Sequence, residues 1–590
     1  MKHFFQTFFA VLVGLSVWSI LSIVAFVFFC VFFAASLASS KPMVSIPKNN
    51  SVLEINFTGE ISDRAHVDVS NFNSIINEKE VLGINTLVRC LQNAASDDRI
   101  GAVFLNIGSP DCGFETACEI RRLLVDFRKS EKPVYVYASG LDNMTFFVAS
   151  AADKIFISPG SDIYLRGLSM QSLYFKNALD KMGVNMQVIR HGKFKSAVEP
   201  YLSDKMSEEN RTQSSVLIND IWYSVAVDIS NSLNISVDTL NSWADNLSLV
   251  GNPDLSEVIN IIAEPVTEDQ AKKQIQSLIG QDTKKDFECI SEADYNSFCL
   301  SKSSEMSDQI AILYACGEIT RDASSDVQTI NCPEFCKAVD EIIADDNIKG
   351  VVLRINSPGG SADDAETIYR KLDELHQTKP IIVSMGDYAA SGGYYIACAA
   401  DSIFAMPSTI TGSIGVFGVV PCVRKALQNT VNVNVETVTT NKNSDFGSIL
   451  SPLSDVSYAA LQRTVENVYS TFLTRVSQAR NMTTEQVDSI AQGRVWSGFS
   501  ALNIGLIDNF GDMNYSISAC AELANISNYS ICEYPASKNS LSFLMEDFAS
   551  SKIKSVLLDW TGDNMKLFNE VDRLLRFKGV KCLMNPVIIR

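Results

Sequence analysis

Histidine is nearly absent from this chain, with four in 590 residues. The fourteen cysteines form no CxxC pair and no Cys/His pattern of zinc-site spacing, Cys332 and Cys336 being four apart. A structural zinc site is thereby excluded, and neither metal nor cofactor is expected. Basic residues are also in deficit, 49 against 68 acidic ones, for a formal charge of −19 with no basic stripe. Nucleic-acid affinity rests on Lys and Arg displacing counterions, so a phosphate backbone is not a partner. No long low-complexity tract is present, and 46% hydrophobic with 20% charged residues is the composition of a folding globular chain. Its length exceeds what one hydrophobic core usually supports, so two or more domains are expected. Cysteines in apolar context, such as Cys398, read as small buried residues.

Charge is missing altogether from Phe4 through Ser40. That apolar stretch is too long for the core of a cleavable signal, although the small residues of AASLASS would suit a signal peptidase. It is long enough to span a bilayer, so residues 1–40 are expected to be an N-terminal transmembrane helix. Lys2 on one side and Lys41 and Lys48 on the other leave its orientation undecided by charge. No comparable run follows, so the rest is expected to be a soluble body on one side.

What is present is the same unit twice. VLEINFTGEISDRA returns as IAILYACGEITRDA, with Gly59 recurring as Gly317. ASDDRIGAVFLNIGSP returns as ADDNIKGVVLRINSPGG, KPVYVYASG as KPIIVSMGD, and FVASAADKIFISPGS as YIACAADSIFAMPST. NISVDTL at Asn234 has its partner NMTTEQV at Asn481. These blocks, in one order at nearly one spacing, define a tandem duplication: residues 41–305 and 306–540, followed by an extension, 541–590. Each unit reads as α/β. Short runs such as GVVLRI, PIIVSM and DSIFAM predict strands, and CPEFCKAVDEIIADD and AETIYRKLDELHQ, apolar at threes and fours, predict crossover helices.

Chemistry is expected where the copies differ. The second has SPGG at 357–360 and Ser391 between two alanines and two glycines; the first has SPDC at 109–112 and Asn143 opposite Ser391. Glycines where a strand meets a helix turn backbone N–H groups outward, a natural place for a negative oxygen. The first copy instead carries Lys193 and Lys195 in VIRHGKFKSAVEP, where the second has Ser444 opposite Lys195. A serine hydroxyl is a weak nucleophile until a neighbour takes its proton, usually a histidine or a desolvated lysine. Lysine serves only where burial lowers its pKa well below about 10.4. The small and apolar residues after Lys195 suit burial; Lys193 has the look of an exposed neighbour, and His191 is the rival base.

KFKSAVEP, INSPGGS, DYAASGGYYIACAAD, TGSIGVFG (411–418) and GRVWSG (493–498), in this order behind an N-terminal span, resemble the long, duplicated form of signal peptide peptidase A, or protease IV. The resemblance covers almost the whole chain. It implies a tandem Clp protease/crotonase-like α/β fold, with a Ser/Lys dyad assembled across the halves from Ser391 and Lys195. It further implies that Ser413 orients the lysine and that Gly359, Gly360 and Gly392 supply the oxyanion donors. The implied setting is a homo-oligomeric ring or bowl anchored in a bacterial inner membrane, its body periplasmic. The implied substrates are cleaved signal peptides and other hydrophobic peptides. Two other classes stand beside this reading: a crotonase-like acyl-CoA enzyme, which would need neither Ser391 nor Lys195, and an inactive membrane-anchored scaffold.

Overall fold

The computed structural model describes Trp18 and residues 44–67, 80–251, 262–302, 306–321, 329–430, 432–536 and 580–584. The expected transmembrane segment lies outside the described residues, apart from Trp18. Among those described, no helix is long and apolar enough to cross a membrane. The chain divides into two units, 1–46 and 47–590, and all described strands belong to the second.

In the first repeat β1 (Ser51–Ser62), β2 (Ile100–Asp111), β3 (Val134–Ala138) and β4 (Lys154–Ile157) pair in parallel in that order. Residues Glu264–Pro265 extend the sheet beyond β4, and Cys289–Ser291 beyond β1. From the same repeat, β5 (Asn185–His191) leaves to join another sheet. In the second repeat β6 (Gln309–Cys316), β7 (Ile348–Ser357), β9 (Ile381–Ala390) and β10 (Ser402–Ala405) repeat the order, with β8 (Gly359–Ser361) set apart from it. Asn509–Phe510 and Ser530–Tyr534 flank these four as their counterparts flank the first four. The duplication seen in sequence is thus a duplication of topology. Even the long helices α2 (Glu208–Leu233) and α4 (Asp455–Arg480) both end on a left-handed asparagine, Asn234 and Asn481. Asparagine tolerates that conformation better than other side chains with a Cβ.

Parallel strands covered on both faces read as continuous apolar runs, as GVVLRI does. Alternate residues of β6 divide between the layers: Ile310, Ile312 and Tyr314 join the core shared with the first repeat, and Ala311, Leu313 and Ala315 the core of the second. The repeats therefore share a hydrophobic core. A third sheet carries the site. Its order is Thr329–Asn331, Glu318–Thr320, β8, β12 (Val580–Leu583), β11 (Val416–Cys422) and β5. β5 runs antiparallel to β11, from Asn185 opposite Cys422 to His191 opposite Val416. A strand of the first repeat is thereby hydrogen-bonded to one of the second.

Candidate active site

β9 leads directly into Ser391, whose φ of +56° and ψ of −114° lie where a residue with a Cβ is rarely found. The turn is pinned on both sides. The Ser391 N–H donates to the Gly412 carbonyl at 2.8 Å, and its own carbonyl accepts from the Tyr395 N–H at 2.9 Å, in the first turn of α3 (Gly392–Ala397). The small neighbours have a steric reason as well: a Cβ on Gly393 would come within 2.7 Å of the Ser357 carbonyl oxygen.

Lys195 reaches this turn from the other repeat. Leaving β5, the chain turns at Gly192, with φ +102°, and the Phe194 N–H donates to the Gln492 carbonyl at 2.9 Å. The neighbouring Gly493 N–H donates to the Ile414 carbonyl at 2.8 Å, and the Ser413 N–H to the Arg494 carbonyl at 2.7 Å. The lysine stem passes two glycines. A Cβ on Gly493 would lie 2.6 Å from the Lys195 Cβ, and one on Gly415 3.3 Å from its Cδ. Two motifs distant in sequence, TGSIGVFG and GRVWSG, thus each supply an absent side chain for the same lysine.

The amine ends at three uncharged oxygens. Lys195 Nζ is 2.8 Å from Ser391 Oγ, 3.0 Å from the Ser413 carbonyl oxygen and 3.0 Å from Ser413 Oγ. All three residues are at most 2% exposed. Lys193 is exposed. The Nδ1 of His191 lies 2.7 Å from Glu466 Oε2, and its ring stacks on Tyr469. Of the glycines, Gly359 has φ +98° and donates its N–H to Ser357 Oγ at 3.1 Å. Gly360 sits in the ladder between Ile319 and Cys582, and a Cβ there would fall 2.1 Å from the Ile319 carbonyl oxygen. Gly392 opens α3, where N–H groups have no partner within the helix.

The degenerate positions have other occupations. In the first copy Asn143, opposite Ser391, donates from Nδ2 to the Gly167 carbonyl at 2.7 Å and accepts the Arg166 N–H at 2.9 Å. Its amide has become a loop fastener. Ser444, opposite Lys195, lies in an exposed turn, where its Oγ accepts the Asn441 N–H at 3.1 Å.

Beneath the site lies a charged cluster that sequence reasoning missed. Arg354, on β7 and fully buried, donates to Asp63 Oδ1 at 2.6 Å, to Glu119 Oε2 at 2.7 Å and to Ser384 Oγ at 3.0 Å. Asn356 donates to Asp63 Oδ2 at 2.7 Å and accepts the Tyr388 N–H at 3.2 Å. Asp387, four residues before Ser391, accepts the N–H groups of Glu115 and Thr116 at the N-terminus of α1 (Phe114–Arg128), and the Thr116 hydroxyl at 2.7 Å. Burial pushes the Asp387 and Glu115 carboxyls above the ordinary carboxylate range, Glu115 strongly so. These bonds join α1 and β1 of the first repeat to the strands carrying INSPGG and Ser391. The signal was one arginine inside the apolar run GVVLRI.

A hydroxyl raised on a strand-to-helix turn, an amine within hydrogen-bonding distance and helix N–H groups alongside are the parts of a serine hydrolase acting by acyl transfer. The profile of peptidase family S49 matches residues 126–282 and again 373–527, more than half of the chain, and that of Clp protease matches 323–411. Protease 4 of Salmonella typhi is 32% identical over 474 residues, 79% of this chain and 76% of that protein. Protease 4 of Haemophilus influenzae is 29% identical over 517 residues, 84% and 83% of the two chains. The chloroplastic serine protease SPPA of Arabidopsis thaliana is 29% identical over 560 residues, 92% and 79% of the two. The chain belongs to peptidase family S49, and it is a serine peptidase.

Proposed function

We propose that Ser391 is the nucleophile of this peptidase and Lys195 its general base, each supplied by a different repeat. The observation that carries the reading is the 2.8 Å contact between Lys195 Nζ and Ser391 Oγ. The neutral amine takes the hydroxyl proton as Oγ attacks the scissile carbonyl; Ser413 holds the amine through its own carbonyl and hydroxyl. The N–H groups of Gly359, Gly360 and Gly392 are the oxyanion donors of this reading, the Gly359 N–H leaving Ser357 Oγ, its acceptor here at 3.1 Å, to take that role. The lysine then gives its proton to the departing amine, and the acyl-enzyme is opened by a water that the same amine deprotonates.

In this reading residues 41–305 supply the base, 306–540 the nucleophile and oxyanion donors, and 1–40 tether the body to a bilayer, with 541–590 as an extension. The substrates are cleaved signal peptides and other hydrophobic peptides, which collect at such a surface. An apolar cluster of Leu217, Ile221, Ala390 and Ile410 next to Ser391 supports that preference. A periplasmic body assembled as a homo-oligomeric ring or bowl completes the reading. The test is a mechanism-based serine acylating probe, with the adduct located by mass on a tryptic peptide. The expected site is Ser391, and Ser391→Ala should abolish both labelling and hydrolysis. An adduct on another serine, or full turnover by Ser391→Ala, overturns the assignment.

A further inference from the structure

Both neighbours of Lys195 are held by a single side chain of the first repeat. Gln213, on α2 and 2% exposed, places its Nε2 3.1 Å from the Phe194 carbonyl oxygen and 3.1 Å from Ser196 Oγ. Its Oε1 accepts the Val495 N–H at 3.2 Å. A backbone carbonyl only accepts and a backbone N–H only donates, so this pair of partners fixes which way the amide faces. The site asks for a neutral donor and acceptor on one side chain. A carboxylate would set an oxygen against the Phe194 carbonyl, and a thioether would leave both backbone groups unpaired.

The contact through Val495 leads to the nucleophile. Val495 pairs with Gly412, and the Gly412 carbonyl accepts the Ser391 N–H at 2.8 Å. One amide therefore ties the loop of the lysine, in the first repeat, to the strand pair that holds the Ser391 turn, in the second. Its own place is braced: Asn210, one turn earlier on α2, has Oδ1 3.1 Å from the Gln213 Nε2 and donates from Nδ2 to Glu199 Oε2 at 2.9 Å, and Glu199 follows Lys195 by four residues. The duplication isolates this glutamine as it isolates the lysine. α2 and α4 are both 26 residues long and begin after matching serine caps, Ser207 and Ser454. That register sets Gln213 opposite Ala460, in the copy that has Ser444 where the first has Lys195.

We propose that Gln213 is a positioning residue of this peptidase: by clamping Phe194 and Ser196 to Val495 it holds the Lys195 amine on Ser391 Oγ, without touching the reacting atoms itself. That the clamp serves a base rests on the Ser391 and Lys195 reading; that it joins the two segments does not. Misplacing a reacting group by about 1 Å costs about 100-fold in rate.

The experiment uses full-length Gln213→Met, read by hydrolysis of a quenched fluorescent peptide, by titration of Ser391 with a serine acylating probe, and by amide hydrogen exchange. Expected are a kcat and a labelling rate per site about 100-fold below the parent, at unchanged KM and with the same fraction of chains labelled at the end point. The Val495 amide, its acceptor gone, should exchange about tenfold faster. Gln213→Glu keeps an acceptor for Val495 and loses the donor for Phe194, so it should lower the labelling rate per site while the Val495 amide stays protected; it carries the test if Gln213→Met does not fold. A labelling rate per site equal to the parent's in every folded variant overturns the proposal. So does a smaller labelled fraction with each remaining site at the parental rate, the signature of a merely structural role. If the parent itself leaves Ser391 unlabelled, the catalytic reading falls and the clamp is judged by Val495 exchange in Gln213→Met alone, faster exchange keeping it and parental exchange overturning it.

Discussion

Replacing Lys195 by methionine separates chemistry from packing, because methionine is likewise unbranched, only one heavy atom shorter, and carries no amine. The stem is held between Gly493 and Gly415, and a thioether fits the same channel. Three hydrogen bonds to Ser391 and Ser413 vanish, each worth about 1 kcal/mol net. Against this, a polar group no longer has to be desolvated at a position 1% exposed, a saving of about 1–3 kcal/mol, and apolar contact is gained. Stability should therefore change by no more than about 2 kcal/mol in either direction. Activity should not survive: loss of the base is expected to lower kcat/KM by about 10⁴-fold or more. The assay is hydrolysis of a quenched fluorescent peptide beside thermal unfolding of the same preparation. His191→Ala and Lys193→Ala should keep most activity, since His191 is engaged by Glu466 and Lys193 is exposed. Retention of more than about a tenth of parental kcat/KM by a folded Lys195→Met chain would refute the reasoning, as would its full activity beside a dead His191→Ala.

Gly493→Ala puts a methyl 2.6 Å from the Lys195 Cβ and 2.7 Å from its backbone nitrogen at a φ of +78°, so kcat should fall about 100-fold through displacement of the amine, with about 1–3 kcal/mol of stability lost beside it. Arg354→Met leaves Asp63 and Glu119 buried without their cation and should destabilise the chain by about 3–5 kcal/mol in urea titrations, largely recovered by adding Asp63→Asn and Glu119→Gln. Glu115 is raised well above its ordinary value of 4.5, so the folded state holds that proton more tightly than the unfolded one. Its contribution is complete below about 4.5 and is lost as pH rises through the raised value; Glu115→Gln should remove that slope from urea midpoints measured across pH 5–8.

Much of this protein is set locally and can be read from the chain. Alternating apolar runs and helical periodicity depend on neighbours a few residues apart, and the duplication needs only comparison of one stretch with another. The contrast between Asn143 and Ser391, or between Ser444 and Lys195, is equally visible, since each is a difference between matched blocks. The meeting of Lys195 with Ser391 is another matter. It depends on β5 pairing with β11, more than two hundred residues away, and on Gly493 and Gly415 leaving room for one stem. Nothing local specifies a partner at that separation. The Arg354 cluster was hidden for the same reason: an arginine in an apolar strand is tolerable only because Asp63 and Glu119 arrive from the other repeat. Least legible was the closing strand. Val580–Leu583 has no matched block in either repeat, and its place between β8 and β11 follows from two open strand edges that exist only once both repeats have folded against each other.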